Sequence, residues 1–108
     1  MFFLAQYQDV EELPKVQYYT ITAVDDEQFH VIDTDLWCRD ANIHCVTNNS
    51  LYGDVTTQVV PFNNGDVISF QDFNLKQLWF RNATAGSNTT IYVVAIIMSD
   101  KRRRELGL

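Results

Sequence analysis

Long hydrophobic runs are missing from this 108-residue chain. No stretch approaches the roughly 20 apolar residues of a helical membrane span, so no membrane partner is expected. The opening Met1-Phe2-Phe3-Leu4-Ala5 is too short for a secretory core and has no basic residue before it. It reads as a first strand or as an arm that docks on a neighbour. Basic residues are scarce, eight against 14 acids, and the net charge is −6. Residues 1–100 hold 13 of the acids and only four bases, so the body repels a phosphate backbone and direct nucleic-acid binding is not expected. The other four bases are Lys101, Arg102, Arg103 and Arg104. They form a charged end suited to an acidic protein surface.

Cysteine is nearly absent as well. Cys38 and Cys45 stand seven positions apart. Without an export signal, each is expected to be a buried free thiol rather than half of a disulfide. For the same reason the N-x-S/T patterns at Asn48, Asn82 and Asn88 read as turn asparagines rather than glycan sites. Histidine is limited to His30 and His44, and neither has a second His or a Glu two positions away. That spacing lacks the close pair a metal-dependent double-stranded β-helix would project from one strand, and Cys38, His44 and Cys45 lack paired zinc spacing. There is no G-x-S-x-G elbow, no phosphate-binding glycine loop and no calcium-loop pattern around Asp25-Asp26-Glu27. No catalytic residue, metal ligand or cofactor site is therefore expected, and the chain reads as a non-enzyme.

What the chain does have is alternation. Gln17–Val24, Phe29–Asp33, Ala41–Thr47, Val55–Phe62, Val67–Phe73, Leu75–Arg81 and Thr89–Met98 read as strands, with Met1–Gln8 before them. No helical periodicity stands out. About eight strands at spacings near 8–12 residues predict an all-β antiparallel sandwich, jelly-roll-like, over residues 1–100, with 101–108 as a basic C-terminal tail. Asn63-Asn64-Gly65-Asp66 and Ala85-Gly86-Ser87-Asn88 read as tight turns, the second closing a hairpin. Phe29–Asp33 reads as the hairpin partner of the strand before it, and Asn48–Asp54 as a loop. The run Ile91–Met98, apolar on both faces, belongs in the middle of a sheet or at a subunit contact.

Leu78 and Phe80 share one face of their run, which leaves Trp79 outward beside Gln77 and Arg81. An outward Trp79 is a candidate anchor for a subunit interface or for a sugar ring.

The stretch GDVISF, followed by LKQLWFRNATAGSNTTIYVVAI, resembles the C-terminal half of small β-sandwich virion proteins of tailed bacteriophages. The resemblance covers residues 63–97 best. It implies a non-enzymatic virion protein, a capsid cement or decoration protein or a head or tail component. It also implies a symmetric oligomer and contact with other virion proteins. Apart from the resemblance, the apolar start and the apolar final run point to self-association as a trimer, and Phe2, Phe3, Trp79 and Lys101 to Arg104 are the candidate contact residues. Two alternatives stand beside it. One is a carbohydrate-binding module that uses Trp37, Tyr52 or Trp79. The other is a cupin-like enzyme, disfavoured by the missing histidine pair.

Overall fold

The computed structural model describes residues 15–25 and 27–108. Eight strands follow one another: β1 (Lys15–Thr22), β2 (Phe29–His30), β3 (Trp37–Thr47), β4 (Ser50–Gly53), β5 (Gln58–Phe62), β6 (Val67–Asn74), β7 (Trp79–Asn82) and β8 (Thr90–Ile97). A 3-10 turn at Leu75–Gln77 joins β6 to β7, and a helix α1 (Asp100–Leu106) follows β8. They form two four-stranded sheets, β1-β8-β3-β6 and β2-β7-β4-β5, with antiparallel pairing throughout. This is the eight-strand jelly-roll arrangement. The all-β, jelly-roll-like sandwich expected from strand rhythm is the fold.

The topology corrects the local pairings. Only β4 and β5 are both consecutive and hydrogen-bonded to each other; every other step along the described strands crosses from one sheet to the other. The expected β7–β8 hairpin is such a crossing, because β7 pairs with β2 and β4 while β8 pairs with β1 and β3. The expected pairing of Phe29–Asp33 with the first run fails for the same reason. Its short remnant β2 lies on β7, with Phe29 opposite Phe80 and His30 opposite Trp79. Asn48–Asp54, expected as a loop, contains β4. The region of Leu75–Arg81 divides into the 3-10 turn and β7. The expected first strand Met1–Gln8 lies outside the described residues.

The core fills the space between the sheets. Cys38, Ala41, Ile43 and Cys45 of β3 and Ile91, Val93 and Ala95 of β8 face Phe62, Leu78 and Phe80, all at most 3 % exposed. β8 is central in its sheet, one of the two places its apolarity suggested. Its outward residues Tyr92, Val94 and Ile96 are half-buried beside Val16 and Tyr18 of β1.

Asp72 has a φ of 49°, in the left-handed region. In a regular strand, residues three apart point to opposite faces. The irregularity here lets Phe70 and Phe73 stack, with centroids 4.5 Å apart. The facing strand shifts register against β8 between Cys38 and Asp40, so both buried Cys38 and buried Ala41 reach the core.

The two ends of the barrel differ. At one, asparagines tie the loops together. Asn48 Nδ2 donates to the Asn88 carbonyl (2.8 Å), and the Asn49 carbonyl accepts from Ala83 N and Thr89 Oγ1 (3.0 and 2.9 Å). Asn82, buried, accepts from Thr89 N and donates to Asn88 Oδ1 and the Asp25 carbonyl. The N-x-S/T asparagines thus serve the loops. Gly65 and Gly86 take φ values of 92° and 82° in the turns expected for them. The other end, where the β2–β3, β4–β5 and β6–β7 connections meet, is open.

Lys101–Leu108, expected as a tail, is mostly helical. Ser99 Oγ accepts from Arg102 N at 3.0 Å as the N-cap, and Gly107 (φ 73°) closes the C-terminus with its N–H on the Arg103 and Arg104 carbonyls. Arg102 reaches Asp72 at 3.4 Å, which fixes the helix near the irregularity in β6.

Candidate functional site

At the open end a cavity of about 470 Å³ is lined by His30 of β2, Asp35, Asp54, Val55, Thr56, Asn74, Lys76, Gln77 and Trp79 of β7. Strand alternation sets its aromatic part. Phe80 is fully buried, so its neighbour Trp79 turns outward; Phe29 packs on Phe80, so His30 turns outward beside Trp79. The two rings stack with centroids 4.0 Å apart. His30 Nε2 lies 2.6 Å from Asp33 Oδ1, while its buried Nδ1 has no hydrogen-bond partner.

The polar groups divide into those that hold loops and those that remain for a ligand. Asn74, buried, accepts from Leu36 N (3.0 Å) and Lys76 N (3.2 Å) and donates to Asp35 Oδ1 (2.9 Å). Asp54 Oδ1 accepts from Thr56 N and Thr57 N, both at 2.9 Å, and shapes the β4–β5 turn. Gly53 is required there, because a Cβ would meet the Thr57 carbonyl oxygen at 2.0 Å. Lys76 Nζ sits 4.0 Å from Asp35, a loose and half-exposed pair. Lys76, Gln77, Thr56 and the Trp79 indole carry the donors suited to a ligand.

The residues present do not fit a metal centre in the barrel. The inward positions of β3 and β8 are Cys38, Ala41, Ile43, Cys45, Ile91, Val93 and Ala95, which pack against one another. His30 and His44 belong to different sheets, and His44 alternates with buried Ile43 and Cys45, beside Tyr92. Among the described residues, no three His, Cys, Asp or Glu side chains are placed to hold an ion. Burial pushes the Cys38 thiol up to about 11 and raises that of Cys45, whose Sγ lies 3.1 Å from the Asn48 carbonyl. Both are free and buried, and the raised values disfavour the thiolate form.

No protein-family model matches the chain, and no curated protein matches it. Solved structures do. An RmlC-like cupin protein from Methanocaldococcus jannaschii, described as a double-stranded β-helix, superposes with a TM-score of 0.56 at 11 % identity, over 86 % of this chain and 76 % of that one. The fold is cupin-like. A predicted oxalate decarboxylase from Thermotoga maritima gives 0.56 at 13 % identity, covering 88 % and 73 %. An HTH_3 family transcriptional regulator from Vibrio cholerae gives 0.54 at 12 % identity over 75 % of this chain, which spans only 42 % of that protein.

These neighbours overturn the expected virion role as capsid cement, decoration, or head or tail component. The stretch that carried the resemblance corresponds to β6, β7 and β8 with their turns, elements common to eight-strand jelly rolls. Such a pattern reports architecture rather than assembly.

Of the expected contact residues, Phe2 and Phe3 lie outside the described residues. Trp79 is half-buried and lines the cavity. Lys101 to Arg104 lie on α1, where Arg102 borders a separate cavity of about 300 Å³ with Arg39 and Glu105. Trp37 starts β3, half-buried. No sequence signal marked Asp35, Asp54, Asn74 or Lys76 for this site, and His30 stood out only as a rejected metal ligand. Gln77 was noticed only as a neighbour of Trp79. No short motif links these residues, and only the convergence of three connections brings them together.

Proposed function

We propose that the chain is a cupin-fold binding module that takes a neutral, sugar-like ligand in the cavity at the open end. The observation that carries this is the indole of Trp79, fixed against His30 and ringed by Lys76, Gln77, Asp35 and Asp54. Small-molecule sites combine an apolar surface with a few fixed polar groups. Here one aromatic platform supplies the surface, while amide, ammonium and carboxylate groups supply partners for hydroxyls. Two carboxylates against one ammonium disfavour an anionic ligand. The buried hydrogen bonds of Asn74 hold the loops in place before binding, which limits the ordering cost. The proposal assigns no catalytic group.

The test is a titration of neutral mono- and oligosaccharides, read by tryptophan fluorescence in Trp37→Phe, where Trp79 is the only indole. A saturable change, together with binding seen by calorimetry on the unaltered chain that Trp79→Ala abolishes with the fold intact by circular dichroism, supports the reading. No response across the panel, confirmed by calorimetry on the unaltered chain, overturns it.

A further inference from the structure

A second cavity, of about 260 Å³, opens at the same end, lined by Tyr52, Gly53, Asp54, Phe70, Phe73, Gln77 and Leu78. Asp54 and Gln77 line both cavities. The two differ in position and chemistry. Trp79 and His30 belong to the outward face of the β2-β7-β4-β5 sheet. Tyr52 pairs with buried Phe80 and sets its ring edge-on to Phe62, centroids 5.9 Å apart, so it faces the gap between the sheets. Phe70 and Phe73 reach the same gap from the opposite sheet and, although packed against the core, are not fully buried.

The stacked pair exists because of a local departure from strand geometry. Asp72 holds a backbone conformation that non-glycine residues adopt rarely and at a cost. The result is two adjacent phenyl rings at the mouth of the barrel instead of one ring inward and one in solvent. Solvent-accessible aromatic surface in a concave place is the usual mark of a contact.

We propose that the ligand is amphipathic: its sugar-like head lies against Trp79, and an apolar ring or short alkyl group crosses the rim at Asp54 and Gln77 to lie against Tyr52, Phe70, Phe73 and Leu78. This rests on the reading above and adds the class of ligand to it. Burial of the apolar group removes its surface, and part of the phenyl surface, from water. The head supplies orientation and the apolar group supplies affinity. Gln77, common to both cavities, is the residue placed to hydrogen-bond the linking oxygen of a glycoside.

The experiment compares methyl and phenyl glycosides of glucose, galactose, mannose and N-acetylglucosamine by calorimetry on the intact chain. For at least one sugar, the phenyl glycoside binds about tenfold or more tighter than the methyl glycoside. Phe73→Ala removes most of that advantage and leaves the methyl glycoside unchanged. Phe70→Trp, which fills the gap instead of emptying it, does the same and covers the case in which Phe73→Ala fails to fold. If methyl and phenyl glycosides bind alike, the amphipathic assignment is wrong while the binding function stands. If the phenyl advantage survives in both variants, the ring lodges elsewhere and the assignment is again wrong. If neither glycoside binds for any of the sugars, the binding function falls and the assignment with it.

Discussion

Asn74 at the end of β6 and Asp35 in the β2–β3 connection are joined by a side-chain hydrogen bond of 2.9 Å that ties the end of β6 to the loop crossing between the sheets. Asn74 also accepts from Leu36 N and Lys76 N. Replacement by alanine leaves two backbone donors without their acceptor, so Asn74→Ala should cost on the order of 2–4 kcal/mol in a urea titration. Asn74→Asp keeps the acceptor but loses the Nδ2 donor and sets a second carboxylate against Asp35, and should be less stable than the parent at neutral pH. Variants as stable as the parent would show that the loops do not depend on this residue.

Trp79 and Phe80 are neighbours with opposite duties. Phe80 is fully buried between Phe29 and Phe62, with centroids 5.5 and 6.1 Å away. Phe80→Ala should cost about 3–5 kcal/mol through the cavity it leaves. Trp79→Ala should cost far less and act on ligand binding. Paired thermal melts of the two variants check the contrast.

Gly53 tolerates no side chain. Gly53→Ala must displace the Thr57 carbonyl, since the new carbon would lie 2.0 Å from its oxygen. Overpacking of this kind costs roughly 1–3 kcal/mol. It should also move Asp54 and Thr56, which line the cavity, and so weaken sugar binding in step with stability.

Alkali should unfold the protein earlier than a typical surface titration would. Burial raises the Cys38 thiol from 9.0 to about 11, and Tyr19 is raised in the same direction, by burial first and by nearby Cys38 second. A folded value above the unfolded one means full stability below pH 9 and progressive loss as pH rises toward 11. A change of about two units corresponds to on the order of 2–3 kcal/mol for the one buried thiol. Cys38→Ala should flatten the loss between pH 9 and 11. An unchanged slope would remove Cys38 as its cause.

Much of this fold was legible in period-two patterns. Alternation placed Leu78 and Phe80 inward and Trp79 outward, and the two-sided apolarity of Ile91–Met98 left a central strand or a subunit contact, of which the structure shows the central strand. The turns at Gly65 and Gly86 followed from glycine beside asparagine or serine. Partners were not legible, because a tight turn does not say whether the chain returns to the same sheet or crosses to the other. β4 was hidden by its four-residue length among Asn, Ser and Gly. The helix had signals at Ser99 and Gly107, eight positions apart, that the run of charge obscured. Of the candidate site, Trp79 could be found from its own strand. Asp35, Asp54 and Lys76 could not, since their meeting depends on the packing of three connections.

The alternation between sheets also governs how the chain must fold. β4 and β5 alone can pair by closing a short loop, Asp54–Thr57. The pairing of β1 with β8 joins Lys15 to Ile97 and Thr22 to Thr90, so one edge of the larger sheet is completed only when the two ends of the described chain meet. Closure over such separations pays its entropy before any contact returns it, which places this protein among the slow, high-contact-order folders. The interval is a hazard, because β8 is the most apolar strand and its pairing edges stay open until β1 and β3 arrive. A substitution that spares the native state but slows that last pairing would show itself as aggregation during refolding.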